Sequence, residues 1–98
     1  MEPKSELRRF VVALVQGSAA EQALTDMTDG TLNELKVLTC SSVESTDGGL
    51  LRLRRIPLRQ PGEGPGPAHT WWLRAADVAA IREFDGEPTR VAGFLPAA

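Results

Sequence analysis

Cysteine and histidine each occur once in these 98 residues, which leaves two whole classes of chemistry short of material. Cys40 has no second thiol for an internal disulfide. Cys40 and His69 together fall short of a zinc ligand set, and no ligand spacing appears elsewhere, so neither a metal nor another cofactor is expected. No apolar run exceeds a few residues, which excludes a membrane-spanning helix. No charged leader followed by an apolar stretch and a cleavage site is present, so the expected location is the reducing cytoplasm. An excess of positive charge is missing too. The 11 basic and 13 acidic residues give a net charge of −2, against the basic balance of a dedicated nucleic-acid-binding domain.

What is present is enough for one small domain, with 42% hydrophobic residues over residues 1–98. The charge is uneven: residues 1–49 carry a balance of −4 and residues 50–98 one of +2. Two surfaces of opposite sign fit that pattern, and so does ordinary solvated charge.

Leu7, Phe10, Val11, Leu14 and Val15 fall at helical spacing, behind Ser5 as an N-cap and ahead of Gly17. Ser18 and Glu21 have the spacing of a capping box, and Leu24 and Met27 carry a second short helix to Asp29-Gly30. These make residues 1–30 a helical part. From Leu35 the period changes to alternation and runs through Thr46, with apolar residues on both faces near Val37-Leu38. Asp47-Gly48-Gly49 reads as a tight hairpin turn, and Leu51 and Leu53 alternate with Arg52 and Arg54 in a returning strand that ends by Pro57. A Gly/Pro loop at residues 60–68 leads to a third strand, His69–Arg74, in which one tryptophan faces the core and the other faces away. Val78, Ile81 and Phe84 fall three apart in an alanine-rich stretch, which predicts a short helix. Residues 33–84 thus form a sheet plus helix and residues 85–98 a flexible tail, although Val91 and Phe94 could dock. The expected fold is α+β: N-terminal helices with a three-stranded antiparallel sheet and a short C-terminal helix.

No catalytic template survives inspection. Ser41, Ser42, Ser45 and Cys40 cluster in sequence, but the sole candidate base, His69, cannot be placed beside them, so the expectation is a non-enzymatic protein. Glu44 and Asp77 read as surface or capping acids, and Cys40 as a small buried apolar group. The densest charge feature is Arg52-Leu53-Arg54-Arg55, with Arg59 close behind. It admits a solvated sheet face, an acidic protein partner, or phosphates gripped beside a base-stacking Trp71-Trp72 pair. Glu44 is positioned to pair with an arginine across the hairpin. An outward tryptophan next to arginine has the composition of an interface hot spot. The candidate partner or dimer interface is therefore Leu7, Phe10, Val11 and Leu14 together with Arg52, Arg54, Arg55, Trp71 and Trp72.

The order Cys40-Ser41-Ser42-Val43-Glu44, Gly48-Gly49, Leu53-Arg54-Arg55, then Trp72 to Ile81 resembles the BldB family of small actinobacterial developmental regulators. The resemblance covers about residues 33–84 by motif, and departs from the family where Ile56-Pro57 follow Arg55. It implies a cytoplasmic, self-associating, non-enzymatic homodimer. It further implies a helix-turn-helix transcription regulator as partner and an influence on aerial growth, sporulation and antibiotic production. Direct nucleic-acid binding through the arginine strand is the alternative.

Overall fold

Val11, Val12, Ala13 and Leu14 are buried without exception, a pattern that a one-sided helix cannot produce and a central strand can. The computed structural model describes residues 8–55, 69–85 and 93–96. Within them run β1 (Arg8–Leu14), α1 (Ala19–Leu24), β2 (Gly30–Leu32), β3 (Leu35–Ser45), β4 (Leu50–Arg55), β5 (His69–Arg74), β6 (Val78–Asp85) and β7 (Phe94–Pro96). Five strands follow the order β5-β4-β3-β1-β6, all antiparallel, while β2 pairs with β3 and β7.

The sheet is curled, and chain connectivity shows why. Laid flat, five strands would hold the outer pair about 19 Å apart. Yet Arg74 at the end of β5 and Val78 at the start of β6 are joined by three residues, Ala75–Asp77, which reach roughly 14 Å at full stretch. The backbone N–H of Val15 donates to the Asp77 carbonyl at 2.8 Å, fixing this corner against the end of β1. The concave side holds the larger core, including Val12, Leu14, Leu24, Leu38, Cys40, Leu53 and Leu73. A smaller cluster of Val11, Ala13, Val37 and Phe94 covers the opposite face of β1 and β3. The expectation that the first half of β3 is covered on both sides is met by Val37 and Leu38 in these two clusters.

The α+β expectation is corrected. The N-terminal apolar stripe is β1: its apolar run matches helical spacing only because every position from Phe10 to Val15 is apolar. The three-stranded sheet is the β3-β4-β5 part of a seven-stranded one. The C-terminal helix is a 3-10 turn followed by β6. Its spacing of three has a definite origin. Ala13 pairs with Ala80 and Leu14 with Val78, so Ala79 is an extra, bulged residue. The bulge puts Val78 and Ile81 on one face, while Phe84 packs on the other against the smaller cluster. The second expected helix survives as α1, six residues long, with the Ser18 hydroxyl accepting from the Glu21 N–H at 3.1 Å. No helix among the described residues is long and apolar enough to cross a membrane.

The hairpin turn forms as its glycines dictate, with Gly48 at φ 84° and Gly49 at φ 77°, conformations that cost glycine little. The β3–β4 register that follows decides which side chains share a face.

Candidate interaction surface

Residues directly opposite one another in an antiparallel sheet point to the same face. Glu44, Arg52 and Trp72 are opposite one another across β3, β4 and β5, and Ser42, Arg54 and Thr70 form the next row. Both rows stand on the convex face, away from the core. The Arg52 guanidinium bonds Glu44 at 2.8 Å, the cross-hairpin pair that the sequence suggested. The same group lies 5.9 Å from the centre of the Trp72 ring, within range of a cation–π attraction. Trp72 remains 53% exposed, and Arg54 is exposed with no acidic partner among the described residues. Arg74 extends the face and pairs with Asp77 at 3.1 Å while its side chain stays 65% exposed. Three arginines against Glu44 and the buried Asp77, with Arg54 the one left without an acid among the described residues, leave this face positive in a chain of net charge −2.

The two tryptophans divide as expected. Trp71, opposite Leu53, packs against the larger core, and Trp72 points outward. Of the other candidate interface residues, Leu7 lies outside the described residues. Phe10 is half-buried against the larger core, and Val11 and Leu14 are enclosed, so the N-terminal stripe is consumed within the chain.

Arg55 is corrected most sharply. It follows Leu53 to the concave side, where its guanidinium bonds the Asp29 carboxylate at 3.0 Å and the Met27 carbonyl. Both side chains of this pair are under 10% exposed, so Arg55 has no reach to an external acid. Asp29 also accepts from the Thr39 N–H at 2.6 Å, tying the segment before β2 to β3 and β4. Sequence reasoning read Asp29 only as a helix stop. Its signal was available: Arg55 shares the Leu53 parity on β4, and a buried arginine needs a buried acid. Asp77 does act as a capping acid, though for α1 and from a buried position. Its carboxylate accepts from the Ala20 N–H at 3.2 Å, holding the first turn of α1 from 57 residues away.

The reactive side chains do not assemble. Cys40 is enclosed, and burial first, then the nearby Asp29 charge, push its thiol up to about 12, with Arg55 opposing. His69 is exposed at the start of β5. Among the described residues no three of His, Cys, Asp and Glu gather as metal ligands would. A shallow, mostly apolar groove of about 250 Å3 runs between α1 and β5, lined by small α1 residues on one side and by Trp71–Arg74 on the other. No family model, curated protein or solved structure matches this chain.

Proposed function

We propose that this chain works by binding a partner protein rather than by catalysis, presenting the convex face of β4 and β5 to an acidic surface. The observation that carries this reading is Trp72, half exposed and flanked on its own face by Arg52, Arg54 and Arg74. A large ring held in place by a neighbouring guanidinium offers rigid contact area at little entropic cost, the character of an interface anchor. The arginines add charge selectivity and speed encounter with an acidic partner.

The motif resemblance to the BldB-like developmental regulators suggests the wider setting. In that setting the protein is a cytoplasmic homodimer. Its partner is a helix-turn-helix transcription regulator, and the pair governs aerial growth, sporulation and antibiotic production. The test is co-purification of the tagged chain from its host beside the W72A/R54E variant. A regulator recovered with the first and lost with the second supports the reading; equal recovery overturns it.

Direct binding of single-stranded nucleic acid is the second reading, favoured by the same Trp72 among arginines, since an exposed ring on a basic sheet face can stack a base. A mobility shift with a steep salt dependence, abolished by W72A, would favour it over the first.

A further inference from the structure

The groove beside β5 follows an edge of the sheet. Its lining includes four consecutive residues, Trp71 to Arg74. Successive side chains of a strand point to opposite faces, so a depression on one face could touch only every second one. Contact with all four fits a groove that runs along the outer rim of β5. Among the described residues no strand pairs with that rim, because β5 ends the order β5-β4-β3-β1-β6. The six β4–β5 pairs run from Leu50–Arg74 to Arg55–His69 without a break in register, so the rim is regular. From His69 to Leu73 it carries no proline, lysine or acid, the devices that ordinarily keep an edge from pairing. The far wall is built mainly of the small side chains of Ala19, Ala20 and Ala23 with Leu24, and the Trp71 indole N–H is buried with no acceptor.

We infer that the β5 edge accepts an extended peptide segment as an added strand, and that this segment alternates apolar and acidic residues. This rests on the partner-binding reading above and names the chemistry of the partner. On an added strand, alternate side chains would enter the groove over the α1 alanines, where the lining is mostly apolar and matches apolar groups. The intervening side chains would stand on the convex face beside Thr70, Trp72 and Arg74, with Arg52 and Arg54 one strand further in. That face holds three arginines against Glu44 and the buried Asp77, with Arg54 left without an acid among the described residues, so the complementary residues there are acids.

The probe is a synthetic peptide of alternating valine and glutamate, end-capped and followed by fluorescence anisotropy against the full chain. The peptide binds, and N-methylation of the residues whose N–H groups face β5 weakens it by roughly tenfold or more, while methylation of the intervening residues does not. Equal effects of the two methylation patterns would overturn the added strand and leave the arginine-face reading standing. Conversely, if R54E leaves peptide affinity unchanged while the methylation pattern still matters, the edge stands and the arginine-face reading falls. Failure of the peptide to bind, with or without uptake of a single-stranded oligonucleotide by the same chain, overturns the inference.

Discussion

The outer strands β5 and β6 leave the same three-residue corner and run down opposite flanks of one curled sheet. β5 keeps an unbroken register with β4, has an apolar groove at its rim and bears an exposed tryptophan. β6 is kinked by the extra residue Ala79 and carries Arg82, Glu83 and Asp85 along its length. Bulges and charges are what keep a sheet edge from recruiting another strand. One flank is therefore bulged and bears acids, while the other keeps a regular register with Arg74 as its one arginine and no acid, although both cover the same core. A regular edge with an apolar groove at its rim is a liability in a natural protein unless it has a use, which is why the proposed interaction surface lies on the β4–β5 side.

The largest expected effect comes from detaching the open flank. Arg55 on β4 is held by Asp29, so R55A strands a buried carboxylate and should cost about 3–5 kcal/mol in chemical denaturation. R52A, removing an exposed pair on the same strand, should cost under about 1 kcal/mol. Replacing Asp29 and Arg55 together with apolar residues should cost less than R55A alone, which separates a stranded charge from a lost attraction.

The tryptophans draw the same line between inside and outside. W71A should destabilise by about 3 kcal/mol, since its ring packs on the larger core. W72A should stay within about 0.5 kcal/mol and instead remove partner binding, read by thermal melting alongside the anisotropy assay. Equal melting losses would erase the distinction between the two faces of β5.

Cys40 lies on β3, the middle strand between the two flanks, opposite Phe10 of β1 and Arg55 of β4. Its folded-state value near 12 stands above the ordinary 9.0, so the folded chain keeps a proton that the unfolded chain gives up. The stability from this group is complete below 9.0 and is lost as pH rises toward 12, by about 1.4 kcal/mol per pH unit in that window. Denaturation at a series of alkaline pH values should show that slope, and C40A should lack this one-proton component.

A gain of function tests the guarded flank. Substituting Arg82 with Val and Glu83 with Thr leaves β6 without two of its charges, and should tighten self-association roughly tenfold. Light scattering across dilution checks it; unchanged size would mean that the bulge at Ala79 guards the edge unaided.

The most local features could be read from sequence. The Ser18 cap, the Asp47–Gly49 turn, the divided tryptophans and the Glu44–Arg52 pair each follow from residues a few positions apart. What escaped needed the tertiary context. β1 and β6 pair across some seventy residues of chain, and the bulge at Ala79 disguised a strand as a helix by giving it a spacing of three. The β2–β3 turn was hidden for a chemical reason: Asn33 and Glu34 both take positive φ, 52° and 74°, and glutamate is a poor signal for a conformation that usually calls for glycine. Asp29 and Arg55 lie 26 residues apart, and only the β4 register brings them together. The convex face was legible in part, since Arg52, Arg54 and Trp72 were named while Arg74 was not.

Amide hydrogen exchange, strand by strand, with and without the alternating valine–glutamate peptide tests the division between flanks most directly. Protection gained by the outward-facing amides of β5, with β6 unchanged, is the predicted result. Protection on β6 instead, or on both strands alike, would contradict it.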